Sequence, residues 1–298
     1  MLRAHSKIKW AEKSYLIYKE HFEDVNFYLD WAEISFVPTG RYYGEDYFKK
    51  YHNVRVIASN TTDDKHIDTE YCKSRGIEVI TLAGDPILHE ITAVAELTIG
   101  MIIALTRNLI PAAQSVRDGK WDRYPYGGKK MLKNMTLGVI GCGRIGEMVD
   151  RRWSACGGMP RRYDDAMRGV RAIRNLNFAI ASDIVTVHIP AENNHDFFCK
   201  ACFESFKDGA YFINTSRGEI VVEEDLVWAL ESGKLAGAAV DVLRGEFEPG
   251  FRVEQSPLWQ YAQEHDNLLI TPHIGGSTED AWEMTQVRII EKVLEYLA

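Results

Sequence analysis

Three residues in the second half of the chain have types that suit proton and anion chemistry on a small organic acid. Arg217, Glu246 and His273 each follow an apolar run of the kind that forms a strand. An arginine can hold a carboxylate and a carbonyl oxygen through a forked contact. A histidine exchanges protons near neutral pH, and a neighbouring carboxylate raises its pKa and orients its ring. The three together predict a site that binds an organic acid and moves a proton.

A glycine-rich turn lies upstream of these residues. Gly141, Gly143 and Gly146 form the pattern Gly-x-Gly-x-x-Gly after an apolar run, and Asp164 follows eighteen residues after the last glycine. In such a turn a pyrophosphate approaches the backbone at the N-terminus of the following helix. The acid binds the ribose hydroxyls and repels a 2′-phosphate, which favours NAD over NADP. With a dinucleotide present, the arginine and the histidine predict hydride transfer.

The strand before Asp164 is irregular in sequence. Residues 159–163 carry Pro160, Arg161 and Arg162, where a central strand should be apolar. The two arginines are also able to accommodate a 2′-phosphate. The sequence alone therefore leaves NADP open beside NAD.

The elements that position these residues follow from the alternation of short apolar runs with helical patterns. This alternation predicts βα units and parallel sheets, in two α/β units joined through a helical stretch at 92–118. A helix at 67–75 is expected to end at Gly76. The predicted strands are Val25–Leu29, Ile34–Val37, Val54–Ala58, Glu78–Thr81, Leu137–Ile140, Ile184–His188, Tyr211–Asn214, Ala236–Val240 and Leu268–Thr271.

Composition narrows the class of protein. A net charge of −8 over 298 residues argues against a nucleic-acid partner. The apolar stretch Leu97–Leu105 is too short to cross a bilayer, and residues 1–10 lack the apolar core of a secretory signal. Five scattered cysteines are typical of reduced thiols in the cytoplasm. Cys199 and Cys202 form a lone Cys-x-x-Cys, for which helix packing is a better interpretation than a metal site.

A series of short motifs, in order along nearly the whole chain, resembles the D-isomer-specific 2-hydroxyacid dehydrogenases. The resemblance implies an α/β fold of two doubly wound parallel-sheet domains. An NAD-binding Rossmann domain at 91–275 would be inserted into a flavodoxin-like substrate domain at 1–90 and 276–298. The motifs are Ser59–Thr62, Ala93–Leu97, the glycine turn, Ser182–Pro190, Asn214–Gly218 and Thr271–Ser277.

The resemblance also implies roles for individual residues. Arg217 would bind substrate, His273 would serve as acid and base, and a glutamate would support the histidine. A glutamate directly before proline, as in the family, selects Glu248, whereas spacing from Asp241 and Arg217 selects Glu246, which we expect. Asn60, Thr61 and Thr62 would join Arg217 in binding substrate. The implied NAD contacts are Gly141, Gly143, Arg144, Ile145, Gly146, Asp164, His188, Pro190, Thr215, Ser216, Arg217, Asp241, His273, Gly275 and Gly276.

The function expected from this resemblance is NAD-dependent interconversion of a 2-oxo acid and a D-2-hydroxy acid. We expect a homodimer formed through the apolar helix at 92–108, with neither nucleic acid nor membrane as a partner. One departure is the loop Asp63-Asp64-Lys65, where the family has glycine, an apolar residue and aspartate. The alternatives are a degenerate enzyme, which this loop suggests, and a non-catalytic NAD-sensing scaffold like the family's corepressors. His66 is expected on the surface or in a loop.

Overall fold

The computed structural model describes residues 34–37, 42–128, 130–164 and 176–298. The chain divides into two compact units. One comprises the residues up to Ile91 with Phe247–Gly250 and Ser277–Ala298, and the other comprises Thr92–Glu246 and Phe251–Gly276. The sequence-based division differs by one residue at each end and lacks the return of four residues to the first unit. The strand expected at Val25–Leu29 lies outside the described residues.

The described elements alternate between helix and strand. Residues 176–180 form a further helical turn. In chain order the elements are β1 (Ile34–Phe36), α1 (Glu45–Lys50), β2 (Val56–Ala58), α2 (Thr69–Arg75), β3 (Glu78–Ile80), α3 (Ala93–Thr106), α4 (Leu109–Arg117), β4 (Thr136–Ile140), α5 (Arg144–Ala155), β5 (Met159–Tyr163), β6 (Ile184–Val187), α6 (Lys200–Glu204), β7 (Ala210–Asn214), α7 (Glu223–Glu231), β8 (Leu235–Val240), α8 (Pro257–Ala262), β9 (Leu268–Ile270) and α9 (Glu279–Leu297).

The first unit is built on the parallel sheet β1-β2-β3. Alternate residues of β2 point to opposite faces, as the pleat of a strand requires. Val56 and Ala58 pack with Ile289 of α9, whereas Ile57 packs with Cys72 of α2 on the other face. Both faces are therefore covered by helices, which explains why this short strand is apolar throughout.

Helix α2 ends at the glycine expected to cap it, and it begins after Asp68, two residues later than the predicted start at 67. The side chain of Asp68 accepts the N–H of Tyr71 at 2.9 Å, and the backbone turns left-handed at Gly76, with φ of 65°. Only glycine adopts this conformation without a penalty. The predicted end of the helix at Gly76 is confirmed.

The second unit is built on a six-stranded parallel sheet in the order β5-β4-β6-β7-β8-β9. One face packs on α3 and α5, and the other packs on α6, α7 and α8. From β4 the chain passes outward to β5 and then returns to β6 on the other side of β4. In open α/β sheets, ligands bind at the carboxyl ends of strands beside such a reversal of strand order. The ends of β4 and β6 are therefore the expected site.

Strand β5 lies at an edge of the sheet among the described residues, paired only with β4. An edge strand tolerates a proline because its outer N–H groups have no strand to bond. The edge position therefore explains why residues 159–163 form a strand despite their irregular sequence. Pro160 and the two arginines lie where an apolar sequence is not needed.

Helix α3 is the main apolar helix of the second unit. The segment Pro86–Thr106 is long and apolar enough to cross a membrane by length and composition alone, a property that the core helix of a globular protein shares. Ala95 and Ile102 are fully buried, in the same cluster as Leu137 of β4. At Asn108 the backbone turns left-handed, with φ of 50°, and this separates α3 from α4. This break divides the helical stretch at 92–118 where the predicted apolar helix at 92–108 ends.

Candidate active site

The glycine turn joins β4 to α5 at the expected place in the sheet. A Cβ at Gly141, where φ is +91°, would lie 2.4 Å from the carbonyl oxygen of His188. A Cβ at Gly146 would lie 1.9 Å from the carbonyl oxygen of Gly141. Both positions therefore require glycine, because the backbone of the turn meets the end of β6 and the first turn of α5 at van der Waals distance.

The space in front of α5 fits a dinucleotide pyrophosphate. Gly143 is exposed, and a Cβ built on it would meet nothing within 4 Å. No side chain caps the N-terminus of α5, whose first residues are Arg144 and Ile145. The amide groups and the dipole of a helix N-terminus favour an anion. The residues present therefore fit NAD, held by this turn at its pyrophosphate.

Asp164 lies beside the same turn. Its Oδ2 accepts the N–H of Cys142 at 2.7 Å, which places the carboxylate at the first turn after β4. The two arginines of β5 have protein partners of their own. Arg162 Nε donates to Asp150 Oδ1 at 3.0 Å, and Arg161 donates to the carbonyl oxygens of the helical turn 176–180 and the residue after it. The two arginines, which left NADP open in the sequence, therefore bind other groups of the protein.

His188 is the first residue after β6 and is half-buried. Its Nε2 lies 3.0 Å from Thr186 Oγ1, and its Nδ1 has no hydrogen-bond partner among the described residues. Burial lowers its pKa to about 3, so the imidazole is neutral at physiological pH. The role of His188 as an NAD contact stays a prediction. Pro190 follows at the same end of the strand.

Arg217 lies in a tight loop after β7. The side chain of Asn214 accepts the N–H of Ser216 at 3.0 Å and donates to the carbonyl oxygen of Arg217 at 2.9 Å. Thr215 shares a buried hydrogen bond of 2.8 Å with Thr98 of α3. Sequence analysis did not single out Thr98, because nothing in its apolar helix marks it as a partner of a loop 117 residues away.

His273 lies in a loop that Asp241 holds in place. The Asp241 carboxylate is buried and accepts hydrogen bonds from Thr271 Oγ1 at 2.5 Å, from Ile274 N at 2.9 Å and from Gly275 N at 2.7 Å. The backbone of His273 itself is left-handed, with φ of 52°. These contacts fix the loop, and the contact of Asp241 with the nicotinamide carboxamide stays a prediction.

His273 contacts Glu246. Nδ1 of the histidine lies 2.8 Å from Oε1 of Glu246, while Glu248 is exposed. Burial on its own lowers the pKa of His273, but the hydrogen bond and charge of Glu246, with the charge of Asp241, outweigh it, so the pKa is raised. The charge of Arg217 acts in the opposite direction and is close enough to contribute. The structure thus brings Glu246 and His273 into contact, and the charge of Arg217 acts on the same histidine.

The loop after β2 holds the predicted substrate residues of the first unit. Asn60 Nδ2 donates to Thr285 Oγ1 at 3.0 Å, Thr61 Oγ1 donates to the carbonyl oxygen of Asp63 at 2.6 Å, and Thr62 is exposed. His66 lies in a turn but is 1% exposed, with Nε2 2.9 Å from Ser59 Oγ. His66 thus lies in a loop, one of the two positions expected, but it is buried and not on the surface.

The described residues contain no group of three or more His, Cys, Asp or Glu side chains that could hold a metal ion. Cys202 packs against the core of the second unit, and burial raises its pKa to about 12. A thiol with so high a pKa is a poor nucleophile and metal ligand at neutral pH.

Comparison with known proteins gives the same result as the geometry. Residues 99–275 match the model of the D-isomer specific 2-hydroxyacid dehydrogenase NAD binding domain. The chain is 32% identical over 250 residues to a hydroxypyruvate reductase of Thermotoga maritima, covering 82% of this chain and 78% of the relative. It is 35% identical over 242 residues to a glyoxylate reductase of Thermofilum pendens, covering 77% and 68% respectively.

A solved structure is similar over almost the full length. It is the D-lactate dehydrogenase of Aquifex aeolicus complexed with NAD and lactic acid, with a TM-score of 0.77 and 25% identity, over 96% of this chain and 93% of that one. Three findings indicate the same family. They are the parallel sheet with its dinucleotide turn, the match to the NAD-binding domain and the similarity to these relatives. The chain belongs to the D-isomer-specific 2-hydroxyacid dehydrogenases and is an NAD-dependent oxidoreductase of 2-hydroxy acids.

Proposed function

We propose that this protein interconverts a short 2-oxo acid and the corresponding D-2-hydroxy acid, with His273 as acid and base, Glu246 as its support and Arg217 as the substrate-binding cation. The observation that carries the proposal is the 2.8 Å contact between His273 Nδ1 and Glu246 Oε1, with the charge of Arg217 close by. This is the arrangement that proton transfer to an anionic substrate requires.

The contact with Glu246 decides which nitrogen of His273 reacts. Because Nδ1 donates to the carboxylate, Nε2 is the nitrogen left to exchange a proton with substrate. In the direction of reduction, the imidazolium gives the Nε2 proton to the substrate carbonyl oxygen as C2 is reduced. In the direction of oxidation, neutral Nε2 takes the hydroxyl proton. The hydrogen bond and charge of Glu246 raise the pKa of His273, which favours the imidazolium form.

The cofactor and the substrate would be held by separate groups. NAD, when bound, supplies the nicotinamide ring that gives or takes the hydride at substrate C2. The turn Gly141–Gly146 and Asp164 would hold its pyrophosphate and ribose, and the loops at Thr215 and His273 would lie beside its nicotinamide. Arg217 would bind the substrate carboxylate and polarise its carbonyl. Asn60, Thr61 and Thr62 would bind the carboxylate from the first unit.

The test is turnover of a panel of 2-oxo acids with NADH and with NADPH. Because relatives are named hydroxypyruvate reductase and glyoxylate reductase, we expect glyoxylate or hydroxypyruvate to be reduced, with NADH preferred. His273→Asn should abolish turnover and leave NADH binding intact. NADH binding without turnover of any acid in the panel would contradict the proposal and favour the NAD-sensing scaffold.

We further propose a homodimer that works in the cytoplasm. Ile103 of α3 and Leu109, Ile110 and Val116 of α4 are exposed, although they are apolar. A run of exposed apolar side chains on two consecutive helices is typical of a covered surface. Ile110→Glu should lower the mass measured by sedimentation to that of one chain, and a wild-type monomer would contradict the proposal.

A further inference from the structure

Glu246 lies in a short turn after β8, and the hydrogen bonding of the turn restrains this residue only weakly. Gly245, directly before it, is left-handed with φ of 70°. The backbone N–H of Glu246 reaches the carbonyl oxygen of Leu243 only at 3.4 Å. Such a turn leaves the position of a carboxylate undetermined unless another residue anchors it.

We infer that Arg244 is a positioning residue, which anchors this turn so that Glu246 stays in contact with His273. The inference rests on the proposed function, in which Glu246 supports His273. Arg244 touches neither residue in any contact found in the structure. It acts through the backbone that it shares with Glu246, two positions along the chain.

The side chain of Arg244 reaches back across the loop that follows Arg217. Nη2 donates to the carbonyl oxygen of Val221 at 2.7 Å and to that of Glu219 at 3.1 Å, and it pairs with Asp196. One guanidinium thus binds two backbone carbonyls and one carboxylate. All three contacts are made through the one terminal nitrogen Nη2.

The backbone of Arg244 is held by a buried acid. Its N–H donates at 3.0 Å to Oε1 of Glu223, the first residue of α7, and Oε2 of Glu223 accepts the hydroxyl of Ser256 at 2.7 Å. Glu223 is 5% exposed. A buried carboxylate that accepts a backbone N–H restrains it strongly, because leaving either group unsatisfied is costly.

The same contacts join the Glu246 turn to the loop of Arg217. A Cβ at Gly218 would lie 2.1 Å from the carbonyl carbon of Leu243 and 2.4 Å from the N of Arg244. The two backbones therefore touch directly after Arg217 and two residues before Glu246. Side chain, buried acid and backbone contact together fix the distance between the substrate-binding loop and the supporting carboxylate.

Loss of the Arg244 contacts should change the pKa of His273, which can be measured. The charged groups that act on its pKa are Glu246 and Asp241, which raise it, and Arg217, which lowers it. Asp241 is held by three hydrogen bonds that do not involve Arg244. Of these three groups, Glu246 is the one carried by the turn itself.

The experiment compares Arg244→Met with Glu246→Gln and with a control, Arg252→Met. The side chain of Arg252 is 69% exposed, and its Nε lies 3.7 Å from Oε2 of Glu254. Arg252→Met therefore removes the same charge without disturbing the turn. The pKa of His273 is read by NMR titration of the labelled imidazole in full-length protein, assigned with His273→Asn. This readout does not need turnover. The rate of 2-oxo acid reduction against pH is measured in parallel.

We expect Arg244→Met to lower the pKa of His273 in the same direction as Glu246→Gln but by less. The alkaline limb of the reduction profile should move to lower pH by the same amount, and Arg252→Met should move neither. Asp196→Asn, which keeps both carbonyl contacts, should have a smaller effect. Because the guanidinium is 40% exposed, these variants should fold.

An unchanged pKa of His273 in Arg244→Met, with a lowered pKa in Glu246→Gln, would overturn the inference. A wild-type protein without turnover would contradict the proposed function, whereas the NMR titration would still decide the role of Arg244. If Arg244→Met fails to fold, Arg244→Gln, which keeps a polar side chain but is too short to reach these three acceptors, answers the same question.

Discussion

Thr98 and Thr215 share a buried hydrogen bond of 2.8 Å that joins helix α3 to the loop before Arg217. Thr98 Oγ1 donates its own proton to the carbonyl oxygen of Val94 at 2.8 Å. Thr215 is therefore the donor in the shared bond. The apolar helix thus orients a hydroxyl in the loop that is proposed to lie beside the nicotinamide.

Thr98→Val should remove the acceptor and leave the Thr215 hydroxyl buried without a partner. Such a loss costs about 1–3 kcal/mol of the free energy of unfolding, and we expect weaker NADH binding as well. Chemical denaturation and NADH fluorescence titration measure the two effects. Thr106→Val is the matched control, because Thr106 bonds only within the helix, to Ile102. If both variants weaken NADH binding equally, Thr98 has no specific role.

Glu246→Gln should move the pH dependence of both directions of the reaction to lower pH. The carboxylate raises the pKa of His273, so its removal should lower that pKa. Reduction needs the imidazolium, and its rate would decline at lower pH than in the wild type. Oxidation needs the neutral ring, and its rate would rise at lower pH. Profiles of kcat/KM in both directions check this, and limbs that move in opposite directions would contradict it.

The same pair predicts how stability depends on pH. The folded pKa of His273 is raised, so the stability from the pair is fully present below the unfolded pKa of about 6.5. It is lost as the pH rises through the folded pKa. The difference in Tm between wild type and His273→Asn should therefore shrink from pH 6 towards alkaline pH. A difference that grows over this range would show that the histidine is not stabilised as a cation.

Two glycines of the same turn should respond in opposite ways to alanine. At Gly143 a Cβ enters open space, so Tm should stay constant while NADH binding weakens by about tenfold or more, or about 1.4 kcal/mol. At Gly146 a Cβ would strike the carbonyl of Gly141, and overpacking of this kind costs about 1–3 kcal/mol. Calorimetry and NADH titration of both variants separate the two. A lower Tm for Gly143→Ala would contradict the presence of open space beside Gly143.

Asp164→Asn should relax the preference for NADH. The amide can still accept the N–H of Cys142, so the turn should keep its conformation. What disappears is the repulsion between a carboxylate and a 2′-phosphate, about 1–4 kcal/mol for charges 4 Å apart near a surface. The ratio of kcat/KM with NADPH to that with NADH should rise by about fivefold or more. An unchanged ratio would place the selectivity elsewhere.

The sequence could predict the features that depend on local geometry. The glycine turn and most of the strands follow from short-range patterns. The choice of Glu246 over Glu248 came from its spacing to Asp241, and in the structure Glu246 contacts His273. The end of a strand fixes where the next few residues lie, because the ladder of hydrogen bonds fixes the strand itself. The number of residues from the end of a strand therefore predicts where a side chain lies in space.

The features that sequence analysis missed depend on distant partners. Thr98 lies in a helix whose other residues are apolar, and its partner Thr215 comes 117 residues later. His66 is buried because Ser59 and the Tyr43 ring lie beside it, not because of its neighbours in sequence. Arg244 has the composition of a surface residue and becomes an anchor only through the carbonyl groups after Arg217. Tertiary contacts of this kind have no local pattern.

The return of the chain to the first unit between Glu246 and Phe251 has a practical consequence. The second unit is one continuous stretch of sequence apart from the four residues Phe247–Gly250. Replacing those four with a short flexible bridge would close Thr92–Gly276 into a single polypeptide that contains the turn at Gly141, Arg217, Glu246 and His273. Such a minimal polypeptide would allow the thermodynamics of dinucleotide recognition to be dissected by calorimetry, apart from everything that the first unit contributes.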